Sequence, residues 1–256
     1  TREGGHTGDM IFRGENPPNG AIIDYYLKNT VAKKDISLAI YTQKGDLVRK
    51  ITPDTTAGIN RMIWDFHYES LAGMPNNPYD TTSNNRRRRG SSGPDGPLAM
   101  PGLYVAKLTV NGQVHEQTFM IEDDPRVEIE IEDRAAWTET MFALGDLYEA
   151  VLKDLKPVKT VFWQIEKLEK GKSKLDSTTV AEIKELDRMY SELLNRTRGL
   201  YGSVGDWMGK MTADQTAQMK YYKEMLGKLA PRKKAMLDMI PKLNKKLDKA
   251  AKIEVE

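Results

Sequence analysis

Leu103-Tyr104-Val105-Ala106-Lys107-Leu108-Thr109-Val110, then Asn111-Gly112, then Gln113-Val114-His115-Glu116-Gln117-Thr118-Phe119-Met120-Ile121 decides how the first half of this chain folds. Two runs rich in β-branched and aromatic residues flank an Asn-Gly pair, the pair that a two-residue type I′ turn prefers because both central residues take positive φ. Such a turn sets the register: Val110 opposes Gln113, and each earlier residue opposes a later one. Tyr104 then faces Phe119 and Leu108 faces His115 on one side of the ribbon. On the other side Leu103 faces Met120, and Lys107 meets Glu116 as an exposed cross-strand pair.

Upstream the same period-two pattern recurs between turn residues. Ala21 to Leu27 places Ile23, Tyr25 and Leu27 on one face, and Ile36, Leu38 and Ile40 alternate before Gln43-Lys44-Gly45-Asp46. Leu47 to Ile51 returns as a hairpin partner, and Ile59 to Phe66 carries Met62, Trp64 and Phe66 on one side. Short strands at regular spacing predict an Ig-like antiparallel β-sandwich over residues 16–125, after an extension at 1–15. Between strands lies 68–100, rich in Asn, Pro, Gly, Ser and Arg. A loop of that length is either functional or disordered.

After Asp123-Asp124-Pro125 the apolar period changes from two to between three and four. Trp137, Met141, Leu144, Tyr148, Val151, Leu152 and Leu155 form one stripe, and Val158, Val161, Phe162, Ile165 and Leu168 continue it past Pro157. Proline inside the pattern predicts a kink, with the helix ending at Gly171. Thr179-Val180-Ala181-Glu182 has capping-box spacing and opens a second stripe through Ile183, Leu186, Met189, Tyr190, Leu193 and Leu194. A third helix starts at Thr212, with Gln215 three residues on, and runs toward Leu247 through Pro231 and Pro241. The expectation is therefore α+β as separate domains, with residues 126–256 forming a bundle of about three long, kinked helices.

Composition narrows the function. Thirty-nine basic residues stand against 37 acidic ones in 256. That balance counts against a general nucleic-acid binder, which shows a basic surplus. No cysteine is present, which removes disulfides, thiol nucleophiles and thiolate metal sites. No apolar run reaches the eighteen or so residues that span a bilayer. Thr1-Arg2-Glu3-Gly4-Gly5 has neither an initiator Met nor a signal core and reads as an internal start.

Several phrases carry a resemblance. Asn16-Pro17-Pro18-Asn19-Gly20-Ala21 with Tyr25-Tyr26-Leu27-Lys28, Ala57-Gly58-Ile59-Asn60-Arg61-Met62-Ile63-Trp64-Asp65, Pro101-Gly102-Leu103-Tyr104 and Ile240-Pro241-Lys242-Leu243-Asn244 resemble the region after the β-propeller in bacterial sortilin-like, BNR-repeat proteins. That family is often labelled glycosyl hydrolase. The second and third phrases, as a pair, are also similar to the small Ig-like domain of flagellar hook-capping proteins and of cell-surface sorting modules. The resemblance implies an exported, periplasmic or extracellular bacterial protein with its propeller upstream. Any hydrolase activity would belong to that propeller, so the resemblance carries no catalytic residue onto this chain.

Candidate residues divide into charged and aromatic groups. Arg86-Arg87-Arg88-Arg89 could grip phosphate, a sulfated sugar, anionic lipid or an acidic protein face, or simply be a solvated insertion. His6, His67 and His115 show no ligand spacing, so no metal or cofactor is expected. Glu128, Glu130 and Glu132 alternate with Val127, Ile129 and Ile131, which reads as an amphipathic linker strand rather than a catalytic acid pair. Trp64 and Tyr104 could form a sugar-stacking platform, but aromatics at strand positions are more often core. Tyr79 in the long loop, Trp207-Met208 between helices, and Tyr221, set outside its helix's stripe, are the aromatic and apolar groups best suited to docking. These point to a non-catalytic protein-interaction or scaffolding module. Its partner would be a protein or the upstream propeller, with peripheral contact to a membrane complex. The alternative is a carbohydrate-binding accessory module.

Overall fold

The computed structural model describes residues 18–69, 96–126, 128–170, 176–245, 247 and 252–254. Six strands come first: β1 (Ala21–Leu27), β2 (Ile36–Thr42), β3 (Leu47–Ile51), β4 (Gly58–Trp64), β5 (Gly102–Val110) and β6 (Gln113–Ile121). Three helices follow: α1 (Ile131–Lys170), α2 (Ser177–Gly205) and α3 (Ala213–Asn244). This is the α+β arrangement that the change of period predicts, a β-sandwich-like part and then a helical part. The described residues group into two compact units. One holds those up to Phe66 with Leu103–Phe119; the other holds those of His67–Gly102 and from Met120 onward. The described ends of the long interstrand segment thus belong with the helices.

The first unit pairs β1 with β4 in a two-stranded sheet, and orders β3-β2-β5-β6 in a four-stranded one. The Asn-Gly turn forms as expected, with Asn111 at φ 49° and Gly112 at φ 80°. Lys107 Nζ lies 2.8 Å from Glu116 Oε1, and the Tyr104 and Phe119 rings are 6.2 Å apart, both at the register set by the turn. Trp64 of the small sheet packs at 5.6 Å on Tyr104 and 6.0 Å on Phe119 of the large one, so the core lies between the sheets. Trp64 and Tyr104 are buried, which removes them as a sugar platform. Gly20 allows the chain to enter: a Cβ there would sit 2.3 Å from the Trp64 carbonyl oxygen. Buried Asn60 is satisfied locally, bonding the carbonyls of Thr56 and Gly58 and accepting from the Thr56 hydroxyl.

In the second unit, α1 runs unbroken through Pro157, forty residues and about 60 Å at 1.5 Å per residue. Its buried stripe, from Trp137 to Ile165, meets the α2 stripe from Val180 to Val204. Helix α3 is more peripheral. It buries Tyr222, Leu229 and Met236, seven residues apart, and then Ile240, a seam rather than a broad face. Its start is the capping box expected at Thr212 and Gln215. The expected cap of α2 is corrected: Asp176 caps it, accepting from Thr179 N at 2.9 Å, because Ser177 already lies inside the helix. The expected linker strand is also corrected. Residues 128–130 form no strand and Ile131 opens α1, where Glu132 and Asp133 favour the positive end of the helix dipole.

Polar side chains join the helices at long sequence separation. Arg134, buried, donates to the carbonyls of Leu98 and Ala99 at 2.9 Å and lies 4.8 Å from the Trp137 ring. Lys159 pairs with Asp187 at 2.8 Å, both nearly buried, and Lys233 of α3 pairs with Asp154 of α1. Near the C-terminal end two side-chain amides clasp the backbone. Asn244 donates to the Ile253 carbonyl and accepts from Ile253 N, and Gln164 does the same with Glu254.

Candidate interaction site

Where the candidates fall separates two of them from the rest. Tyr79 and Arg86, Arg87, Arg88 and Arg89 lie outside the described residues, as does His6. Trp207 and Met208 occupy the connection between α2 and α3, as the sequence suggests. Trp207 is 78% exposed, but Met208 is half-buried against the helical core. The expectation that both are exposed is therefore corrected for Met208: its flexible chain packs against the helical core while its neighbour stays open to solvent. Tyr221 is half-exposed, edge-on to buried Tyr222 at 6.0 Å, and lines a shallow 200 Å³ depression between α2 and α3.

Around Trp207 the second unit forms a pocket of about 330 Å³. Its apolar lining includes Trp137, Trp207, Leu98 and Ile129, and His67, Glu128 and Asp206 also line it. Each part has a local cause. Trp137 is fixed by its Nε1–H donating to the Val204 carbonyl at 2.8 Å, with the Arg134 guanidinium against its ring. Leu98 is held by an isolated bridge to His67 and by Arg134 on its carbonyl. Trp207 begins a tight turn in which Gly209 N donates to its carbonyl at 2.9 Å. The indole lies back on that turn, since a Cβ on Gly209 would come 2.7 Å from its Nε1.

One surface was not anticipated. The outward face of the β1–β4 sheet carries Ile22 opposite Ile63, Asp24 opposite Arg61, and Tyr26 opposite Ile59. Ile59 is 81% exposed and Tyr26 69%, with Ile22 and Ile63 near half. At its centre Arg61 grips Asp24 through two 2.8 Å bonds, and the guanidinium holds that carboxyl below its ordinary range. The signal was present in the sequence: Ile22-Ile23 and Tyr25-Tyr26 make β1 apolar on both faces. An alternation search credits only one of them.

The buried charges were likewise missed, because nothing in a charged residue's spacing announces burial. Among the described residues, no His, Asp and Glu side chains gather in a group of three suited to a metal ion. No helix among them is long and apolar enough to cross a membrane. No family model, curated protein or solved structure matches this chain.

Proposed function

We propose that this chain is a non-catalytic protein-interaction or scaffolding module. In this reading it is the C-terminal part of a larger sortilin-like propeller protein working in the periplasm or outside the cell. The observation that carries the interaction role is the outward face of the β1–β4 sheet, where Ile22, Tyr26, Ile59 and Ile63 cover both strands. A sheet face turned to water is ordinarily polar, and the two exposed apolar pairs that flank the Asp24–Arg61 ion pair on this one gain free energy when a partner covers them. The family and the compartment rest on the phrase resemblance alone.

The test is co-purification from envelope extract, comparing the native chain with an Ile59→Asp/Ile63→Asp variant of unchanged circular dichroism. A stoichiometric companion, identified by mass spectrometry and lost with the variant, is the expected result. A companion set indifferent to the change would sink the reading. A carbohydrate-binding accessory role is the second reading, favoured by exposed Trp207 beside two carboxylates. Retention on a polysaccharide column, lost in Trp207→Ala, would replace the first reading with it.

A further inference from the structure

The pocket at the α2–α3 connection combines three properties that together define a ligand chemistry. Its walls are mainly aromatic and apolar, with the His67 imidazole among them at the bridge to Leu98. Two of its lining side chains, Glu128 and Asp206, are exposed carboxylates with no counter-ion among the described residues. Its main exposed element is the Trp207 indole, which lies close over the Gly209 turn and leaves most of its surface open. Aromatic faces attract cations through their quadrupole, and the attraction grows as the cation leaves water. The molecule already uses this pairing on the same floor residue, where Arg134 lies 4.8 Å from the Trp137 ring. The neighbouring acid Asp133 is neutralised by Lys210 at 2.6 Å, whereas Glu128 and Asp206 remain available to an incoming charge.

We propose that this pocket binds one cationic side chain, an arginine or lysine, presented by a protein partner. Its aliphatic stem lies against Trp207 and Ile129, and its charged head is received by Glu128 and Asp206. An arginine fits better than a lysine, because its planar guanidinium stacks on an indole and bonds carboxylates in pairs. A neutral sugar would use the indole but leave both carboxylates without a counter-charge, so the acids favour a cation. The proposal extends the interaction-module reading to the second unit and stands on residues separate from the β1–β4 face.

Indole resonances supply the test, since the chain has only four tryptophans. The full 256-residue chain is labelled with nitrogen-15 at tryptophan, and the Trp207 signal is assigned with Trp207→Phe. Acetyl-Gly-Gly-Arg-Gly-Gly-amide is titrated in, alongside the same peptide with Lys, Leu or Glu at the centre and a soluble oligosaccharide. The Arg peptide is expected to shift the Trp207 and Trp137 signals saturably at millimolar concentration, with Lys weaker and Leu and Glu inert. Glu128→Gln/Asp206→Asn is expected to weaken Arg binding about tenfold. Gly209→Ala displaces the indole without removing an aromatic atom, and should weaken it too while the Trp64 signal stays in place.

Equal response to the Leu or Glu peptide overturns the proposal, and so does indifference to the double variant. A response to the oligosaccharide alone hands the pocket to carbohydrate. If replacing Arg86 to Arg89 by serine moves the Trp207 signal with no peptide added, the occupant is this chain itself and the partner reading fails. None of these outcomes touches Ile59 or Ile63, so the result stands apart from the co-purification test.

Discussion

The two units handle buried polarity in opposite ways. Among the described residues the sandwich buries no ionised side chain, and its one buried polar residue, Asn60, bonds within four residues of itself. The helical unit buries Arg134 and Asp187 and spends them on contacts 28 to 36 residues away. Backbone chemistry explains the difference. Strands satisfy their N–H and C=O groups on their neighbours, so the ladder itself fixes which residue meets which. A helix satisfies its backbone internally, and two apolar stripes can slide or rotate against each other with little penalty. A buried polar contact at one position can remove that freedom, as a single buried asparagine does in coiled coils, and Lys159–Asp187 is placed to act in the same way.

Removing the aromatic keystone should have the largest effect. Trp64→Ala is expected to cost about 3–5 kcal/mol in the sandwich, read by urea unfolding with the Tyr104 and Phe119 ring resonances and helical circular dichroism followed separately. If both signals move together, the units are one cooperative block and the contrast dissolves. Next comes Lys159→Met, which leaves Asp187 buried without its partner and should cost the helical unit about 3 kcal/mol. Lys159→Met/Asp187→Leu should recover most of that stability. A register role is sharpened if the double variant is stable yet loses dispersion in its methyl spectrum, and broken if it stays as well ordered as the native chain.

Smaller effects follow at the element ends. Thr212→Ala removes one half of the α3 capping box and should cost about 1 kcal/mol, seen as faster amide exchange at Gln215 and Thr216. The smallest concerns the exposed turn at Asp124, whose carboxyl is lowered to about 2 by side-chain and backbone bonds from Arg126. Because the folded value lies below the ordinary 3.8, the turn's contribution is whole above that value and is lost as pH falls toward 2. Carbon-13 titration of Asp124 should show the low midpoint, and Arg126→Gln should raise it part of the way, because the backbone N–H bond to the carboxyl remains.

The fold was legible wherever one local rule decided it. Asn111-Gly112 set the hairpin register, and the change of apolar period near Pro125 marked the passage from strands to helices. Rules that compete were harder to weigh. Asp176 took the cap from Thr179, since both are good caps and only the position where the chain leaves the helical path chooses between them. Glu128 to Ile131 alternates like a strand, but Ile131 is drawn into the α1 start. The candidate site was half legible: Trp207 stood out as a tryptophan between helices. Its pocket depends on Leu98 and Trp137, far apart in the chain and joined by Arg134, a meeting no spacing encodes.

The amide clasp at Ile253 and Glu254 sets the kind of variation the segment tolerates. Asn244 and Gln164 grip main-chain groups only, so they are indifferent to which side chain the gripped residue carries. A saturation library at Glu254, exposed as it is, should therefore be nearly flat, with one deep trough at proline, the residue that removes the gripped N–H. At Asn244 and Gln164 the profile inverts: few replacements can offer a donor and an acceptor at once, so this constraint is recorded on the helices, while on the segment they hold only Ile253, buried in the core, is bound by its side chain.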